Sequence, residues 1–146
     1  MIVYRDHLDG VEPDMLRGFF VGWPVKPSPT TLLAALGGSG IVALAVDSET
    51  NRVVGFANAL TDGRLAAFIP LLEVLPEYQA RGVGSELVRR LLERLGQIYA
   101  VDVVCDPDVQ PFYSRLGFTA LHAMARRNPE AIARANGRAD AESPSS

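Results

Sequence analysis

The residues whose types and spacing best suit the binding of a ligand lie in a short loop before a long amphipathic segment. The loop spans residues 79–84 and reads QARGVG. The first turn of a helix leaves its N–H groups unpaired and carries the positive end of the helix dipole. Gly82 and Gly84 remove side chains where a ligand would approach the backbone, and Arg81 adds a positive charge. This pattern predicts a phosphate site held mainly by backbone donors.

Three other interpretations of this loop are a plain helix start, a dinucleotide-binding fingerprint and a P-loop. Two glycines can simply start a helix, and spacing alone leaves that interpretation open. A dinucleotide-binding fingerprint needs a third glycine where this chain has Leu87. A P-loop needs a Lys followed by Ser or Thr after its glycines, and neither follows Gly84. Both specific rivals therefore fit poorly.

A carboxylate lies inside an apolar segment, predicted to be a strand, that shortly precedes the loop. Glu73 is flanked by Leu72 and Val74. Burial would raise the pKa of its carboxyl group towards the range that suits a general base. Alternate residues of a strand point in opposite directions, so Glu73 can equally lie on a solvated face. Both a base or substrate contact and a solvated position stay open.

The elements that must position these residues follow from hydrophobic periodicity and turn signals. We expect strands and helices in the order β-α-α-β-β-β-α-β-α-β. The segments are Ile2–Arg5, Pro13–Phe20, Thr30–Leu36, Ile41–Asp47, Val53–Leu60, Ala66–Leu75, Gly82–Leu95, Tyr99–Cys105, Val109–Leu116 and Phe118–Ala125. Pro70 inside the third arm of the central strands predicts a bulge or an unpaired position.

The fold class follows from this order. Three successive strands joined by short polar turns predict an antiparallel meander. A strand, a helix and a strand in series predict one parallel βαβ crossover. The chain is therefore expected to form a mixed α/β (α+β) sheet. Residues at helical spacing should bury one face of the helix after the loop, and these are Val83, Leu87, Val88, Leu91, Leu92 and Leu95.

Composition narrows the classes of function. The chain has 146 residues, 48% of them hydrophobic, which suits one domain with a core. A net charge of −3 argues against a nucleic-acid partner. Apolar stretches are too short for a bilayer, and the N-terminus shows no secretory pattern, so a cytoplasmic protein without a membrane partner is expected. His7 and His122 lack metal-ligand spacing, so no metal is predicted, and Cys105 has no disulfide partner.

The end of the chain differs in composition from the rest. After Arg127 the sequence becomes polar and rich in Ala and Ser. We expect a domain over residues 1–127 and a polar tail over residues 128–146, partly disordered, with the disorder beginning at about residue 136.

Two separate segments give the chain a resemblance to the GNAT superfamily of N-acetyltransferases. Residues 71–87, LLEVLPEYQARGVGSEL, resemble the acyl-CoA motif of that family. Residues 111–118, PFYSRLGF, resemble its downstream helix-to-strand motif. The predicted element order also fits the family from Ile2 to about Ala125. The tail after Arg127 lies outside the resemblance.

The resemblance implies acetyl-coenzyme A as the cosubstrate and a place for it. The strand ending at Val74 would splay from the strand Tyr99–Cys105, and the pantetheine would hydrogen-bond the backbone of Val74 within that gap. The pyrophosphate would meet the N–H groups of the loop. The implied cofactor contacts are Val74, Leu75, Gln79, Ala80, Arg81, Gly82, Val83, Gly84, Ser85 and Phe112.

The resemblance also suggests roles at the reacting centre. Tyr113 would be the general acid, with aromatic packing as the alternative. Glu73 would be the base, directly or through an ordered water. Asp106 would lie near the acetyl group, although many relatives have Asn there and a simple turn residue before Pro107 is the alternative. Trp23 would line the acceptor pocket or merely pack its loop.

These expectations lead to an acetyl-CoA-dependent N-acetyltransferase that transfers the acetyl group directly to an amine. The sequence does not identify the acceptor. A non-catalytic acyl-CoA-binding module and a structural interaction domain are the alternatives, and a homodimer is compatible with the sequence.

Overall fold

Apolar runs separated by short polar turns build a six-stranded mixed sheet in this computed structural model, which describes residues 1–142. The strands are β1 Ile2–Arg5, β2 Ile41–Asp47, β3 Arg52–Thr61, β4 Ala66–Ile69, β5 Leu72–Val74 and β6 Ala100–Val103. The helices are α1 Pro29–Gly37, α2 Val83–Leu95, α3 Gln110–Ser114 and α4 Glu130–Glu142. The expected mixed fold class is confirmed.

The strands β1, β2 and β3 form an antiparallel meander that is covered on both faces. Gly55 of β3 faces α2, because a Cβ placed there would meet Leu87 and Val83. The next residue, Phe56, points to the other face and packs edge-on against Phe19 at 4.8 Å. Burial on two faces explains why β2 and β3 are almost unbroken apolar runs.

The third arm of the central strands divides into β4 and β5 at Pro70, which confirms the interruption predicted there. Pro70 has no N–H to donate to a ladder. The buried side chain of Asn58 bridges the break, since its Oδ1 accepts the N–H of Leu71 at 3.2 Å. Beyond the break the two strands part. Both strands pair with β3, but β4 also pairs in parallel with β6, whereas β5 has no second strand partner within residues 1–142.

The helix α2 forms as its periodicity predicts. It begins at Val83 after Gly82, whose φ is 80°, and ends at Leu95 before Gly96, whose φ is 61°. The left-handed backbone at both ends suits glycine. The buried side chains are those predicted, except that Leu92 is only half-buried; they are Val83, Leu87, Val88, Leu91 and Leu95.

Two predicted elements are shorter than expected. The helix predicted over Pro13–Phe20 is a single 3-10 turn, Pro13–Leu16, because Gly18 adopts a φ of 93° and ends the run. The helix predicted over Val109–Leu116 is regular only over Gln110–Ser114, which follows a 3-10 turn at Pro107–Val109.

The predicted last strand, Phe118–Ala125, is wrong for the described chain. No helix or strand is assigned to these residues, and every side chain from Thr119 to Ala125 is exposed. A strand needs a partner for its backbone groups, and within residues 1–142 none pairs with this segment.

The predicted disorder of the tail is wrong as far as Glu142. Residues 130–142 form α4, which packs against α1. Asn136 holds it there: its Oδ1 accepts the N–H of Ser28 at 2.8 Å and the hydroxyl of Thr31 at 2.7 Å, and its amide donates to the carbonyl of Lys26 at 3.0 Å. The alanines of this segment favour a helix, which Asn136 then anchors. The rest of the predicted tail lies outside the described residues.

Candidate active site

A cavity of about 940 Å³ opens between β5, the loop into α2 and the start of α3. It brings together Glu73 and eight of the residues predicted to contact the cofactor. These eight are Val74, Gln79, Ala80, Gly82, Val83, Gly84, Ser85 and Phe112. At its far end the cavity reaches the N-terminal loop at Gly18, Phe19 and Val21. One continuous space therefore joins the loop before α2 to a second, separate loop.

Two predicted cofactor residues and two predicted substrate residues do not line this cavity. Leu75 is buried in the core. The guanidinium group of Arg81 lies over the ring of Tyr78, 5.2 Å from its centroid. Trp23 packs on Phe20 with ring centroids 4.9 Å apart and is 40% exposed. Asp106 directly precedes the 3-10 turn that starts at Pro107.

Strand β5 presents an unpaired backbone edge to the cavity. Leu75 donates its N–H to Val54 of β3 at 2.8 Å, so Val74 directs its own N–H and carbonyl the opposite way. The side chain of Gln79 donates to that carbonyl at 3.0 Å. Because a carbonyl oxygen has two lone pairs, Val74 can still accept from a ligand. An extended molecule with amide groups fits such an edge as an added strand would.

The loop before α2 presents a row of backbone donors. Ala80 and Gly82 adopt left-handed φ values of 62° and 80°, which turn successive N–H groups towards one side. Glu86 makes the first bond of the helix, to Gly82 at 3.1 Å. Within residues 1–142, no acceptor takes the N–H groups from Ala80 to Ser85. This donor set fits a pyrophosphate, whose oxygens are all acceptors.

A cation near the cavity was missed by the sequence reasoning. Arg115 lines the cavity from the side of α3, together with Asp108. It lies two residues after Tyr113, inside the PFYSRLGF segment, and that proximity was the signal that could have found it. The guanidinium group can pair with a phosphate.

Glu73 ties β5 to the N-terminal loop. Its Oε1 accepts the N–H of Phe20 at 2.8 Å. Phe20 is buried and has a φ of 62°, a conformation that costs a side-chain-bearing residue energy and needs support. Burial raises the pKa of the Glu73 carboxyl group, and the hydrogen bond from Phe20 offsets part of that increase. This link was also missed, because the two residues lie 53 positions apart.

Tyr113 borders a second cavity rather than the first. That cavity, of about 710 Å³, lies beside β6. The Tyr113 ring is buried and packs edge-on against Phe112 at 4.9 Å and Phe118 at 5.4 Å. Burial, with a smaller contribution from Cys105, raises the pKa of the phenol to about 12. The hydroxyl group therefore stays protonated at neutral pH and is able to donate a hydrogen bond.

Two further observations concern the described residues as a whole. Among residues 1–142, no group of three or more His, Cys, Asp or Glu side chains is arranged to hold a metal ion. No helix in the same range has the length and apolar character that a bilayer-spanning segment needs.

Comparison with known proteins assigns a family to this arrangement. The model of the acetyltransferase (GNAT) family matches residues 8–118. A crystal structure from Deinococcus radiodurans R1, assigned as an acetyltransferase, is 48% identical with a TM-score of 0.87, covering 90% of this chain and 92% of that one. A GNAT-family acetyltransferase of Streptococcus pneumoniae TIGR4 is 28% identical with a TM-score of 0.69, covering 88% and 98%.

Curated relatives carry similar descriptions. The uncharacterized N-acetyltransferase ycf52 of Pyropia yezoensis is 33% identical over 101 residues, which are 67% of this chain and 58% of the relative. The histone acetyltransferase TAP1 of Glycine max is 36% identical over 111 residues, which are 68% and 48%. The chain thus spans about half the length of these relatives.

Proposed function

Because this chain belongs to the acetyltransferase (GNAT) family, we propose that it transfers the acetyl group of acetyl-coenzyme A directly to an amine of an acceptor molecule. One observation carries the proposal. The N–H groups of Ala80 and of residues 82–85, which donate to no acceptor within residues 1–142, and the open backbone edge of Val74 line one continuous cavity that also contains a carboxylate, Glu73.

The donor-binding half uses mostly backbone. The N–H groups of Ala80–Ser85 bind the pyrophosphate at the N-terminus of α2, and Arg115 adds a charge from α3. The pantetheine follows the edge of β5 at Val74. Gly84 leaves the space between Val74 and Phe112 open, because a Cβ there would lie 3.6 Å from the Phe112 ring. The chain therefore recognises the shape and charge of the donor with few specific side chains.

Glu73 is proposed as the general base. Acetyl-coenzyme A supplies an acetyl group activated as a thioester, and the attacking amine must first lose its ammonium proton. A carboxyl group with a raised pKa is a better proton acceptor than an ordinary one. Oε1 is held by Phe20, and within residues 1–142 Oε2 accepts no hydrogen bond, which leaves it for the amine or for an intervening water.

Tyr113 is proposed to donate a hydrogen bond to the departing sulfur. Its phenol, with a pKa of about 12, lies about 3.5 units above a typical thiol, so complete proton transfer would be uphill by about 5 kcal/mol. Stabilisation by donation is therefore favoured over transfer. The Tyr113 ring packs against Phe112, which lines the donor cavity.

The test is release of free coenzyme A from acetyl-coenzyme A across a panel of amines. The panel should contain small amines, amino acids and a lysine peptide, since one relative is named a histone acetyltransferase. Tyr113→Phe is expected to lower kcat with little change in the KM for acetyl-coenzyme A, because the hydroxyl group acts only at the departing sulfur. An unchanged kcat would remove Tyr113 from the mechanism.

Melting curves separate binding from catalysis. Acetyl-coenzyme A at a hundred times its Kd should raise the free energy of unfolding by about 2.7 kcal/mol. A flat response would contradict the proposed donor site. A clear response without coenzyme A release on any amine would instead identify a binding module.

A further inference from the structure

The N-terminal loop that reaches the cavity, residues 17–28, has little packing of its own over its outer part. Every residue from Val21 to Lys26 is exposed, although the apolar side chains Val21, Trp23 and Val25 are among them. A segment with few buried contacts opens at a low cost in free energy. The position of this part of the loop must therefore be set by the hydrogen bonds at its two ends.

The first end of the loop is held against the sheet. Arg52 of β3 donates from its guanidinium group to the carbonyl of Arg17 at 3.0 Å. Glu73 of β5 accepts the N–H of Phe20 at 2.8 Å. The chain then makes one turn, since Trp23 donates its N–H to the carbonyl of Phe20 at 3.1 Å. This end is therefore fixed beside the carboxylate that is proposed as the base.

The second end of the loop is held by the helix α4. Asn136 is half-buried on the side of α4 that packs against α1. Its amide donates to the carbonyl of Lys26 at 3.0 Å, and its Oδ1 accepts the N–H of Ser28 at 2.8 Å. Within residues 1–142, no other side chain hydrogen-bonds the backbone of residues 24–28. The restraint at this end therefore depends on one side chain, more than 100 positions away in sequence.

We propose that Asn136 is a positioning residue for the acceptor, because it ties the loop to α4 and so keeps Phe19 and Val21 in place at the far end of the cavity. The acceptor can bind only to molecules in which the loop is in place, so its apparent affinity falls with the fraction of such molecules. The effect on the acceptor rests on the proposed acetyl transfer, whereas the restraint of the loop does not. The helix α4 lies beyond residues 8–118, which the family model matches.

Two substitutions separate this restraint from the stability of α4. Asn136→Ala removes all three hydrogen bonds of the side chain. Asn136→Asp keeps an oxygen that can accept from Ser28 and Thr31 at the N-terminus of α1, where a negative charge is favoured. It can no longer donate to Lys26. The aspartate variant should therefore melt close to the wild type and still release the loop. Arg138→Ala, on the exposed side of α4, is the matched control.

Fluorescence tests the restraint without any substrate. Trp23 is the single tryptophan of the chain, so its emission reports on the loop. Acrylamide should quench this emission more strongly in both Asn136 variants than in the wild type, because Trp23 can then leave its contact with Phe20. Arg138→Ala should be quenched like the wild type. Equal quenching in all four proteins would overturn the proposal, and so would stronger quenching in Arg138→Ala.

Kinetics test the effect on the acceptor, with the amine of the panel that gives the fastest release of coenzyme A as the probe. Both Asn136 variants should raise the KM for this amine by about tenfold. The KM for acetyl-coenzyme A should not change, because the donor-binding N–H groups belong to the loop before α2. An unchanged KM for the amine, or an equal rise in both KM values, would overturn the proposal.

Failure of the proposed acetyl transfer gives a different result. In that case the wild type releases no coenzyme A with any amine, while the quenching of Trp23 still decides whether Asn136 restrains the loop.

Discussion

Glu73 and Phe20 are the pair of residues on which the acceptor end of the cavity depends. The carboxylate holds the N–H of a buried residue whose φ is 62°. A glutamine at position 73 keeps an oxygen that can accept this hydrogen bond but cannot accept a proton from the amine. The observed support of the loop by Glu73 and its proposed acceptance of a proton can therefore be separated by one substitution.

Glu73→Gln is expected to lower kcat/KM at neutral pH by about 10²–10⁴-fold, the usual contribution of a general base. In the wild type, kcat/KM should rise as pH increases through the raised pKa of Glu73. That rise should be absent in the variant. The pH profile of coenzyme A release measures both, and a variant with full activity at all pH values would show that Glu73 is not the base.

The same substitution has a defined effect on stability. Burial raises the folded-state pKa above the unfolded value, so the stability due to the protonated form is complete below the unfolded pKa and is lost as pH rises through the folded pKa. Gln carries no charge to bury. Glu73→Gln should therefore melt no lower than wild type at neutral pH, whereas Glu73→Ala, which cannot hold Phe20, should melt lower.

Gly82 has a matched control in Gly63. Both have left-handed φ values, 80° and 75°, and an added Cβ would meet nothing within 4 Å at either site. Each substitution to Ala should cost about 1–2 kcal/mol of folding stability. Only Gly82→Ala should also weaken acetyl-coenzyme A binding, by at least about tenfold, because it alters the row of N–H donors. Calorimetric titration measures the affinity of each variant for acetyl-coenzyme A. Equal affinities would contradict binding of the donor by the N–H groups of this loop.

At the scale of elements, α2 is positioned by its close approach to β3 at Gly55. A Cβ at this position would lie 3.1 Å from Leu87, 3.2 Å from Val83 and 3.3 Å from the carbonyl of Glu73. Gly55→Ala should therefore cost about 1–3 kcal/mol and shift the N-terminus of α2, weakening acetyl-coenzyme A binding. Gly37→Ala is the control, since a Cβ there meets nothing. Unchanged acetyl-coenzyme A binding by Gly55→Ala would show that the position of α2 on β3 does not affect the donor site.

Asn136 makes three hydrogen bonds that attach α4 to the start of α1, beside the buried Ala139. Asn136→Ala removes the acceptor for Ser28 and Thr31 and the donor to Lys26, and should lower the free energy of unfolding by about 1–3 kcal/mol. Arg138→Ala on the exposed side of α4 loses only its solvent-screened pair with Glu142 and should leave the free energy of unfolding almost unchanged. Urea unfolding compares them; equal costs would show that α4 is held elsewhere.

The elements that the sequence predicts well are those whose stability is local. Strand β2 has the predicted bounds, and α2 differs by one residue, because apolar spacing and flanking turns define each of them. The sequence predicts only half of the separation of β4 from β5. Pro70 marks the break, but the hydrogen bond by which Asn58 bridges it forms only in the folded chain. Residues 118–125 have the composition of a strand, yet strand formation also requires a neighbour, which composition does not supply.

At the scale of the whole molecule, the two ends of the cavity differ in how well the sequence predicts them. Eight of the ten residues expected at the donor end line the cavity together, because a loop and the helix after it are contiguous in sequence. At the other end the hydrogen bond between Glu73 and Phe20 was not predicted, because the two residues meet only when β5 packs beside a loop 53 residues earlier. Long-range contacts of this kind leave no spacing pattern. The mixed sheet itself followed from element order.

The backbone cradle at Ala80–Ser85 has a consequence for inhibitor selectivity. A compound that imitates the phosphate end of the donor would meet main-chain atoms, which differ little from one acetyltransferase to another. A compound that extends along β5 to Phe19 and Val21 would also meet side chains, which can differ between related proteins where main-chain atoms do not. Discrimination between related enzymes therefore has to be designed into the acceptor end, with the cradle serving only as a common anchor.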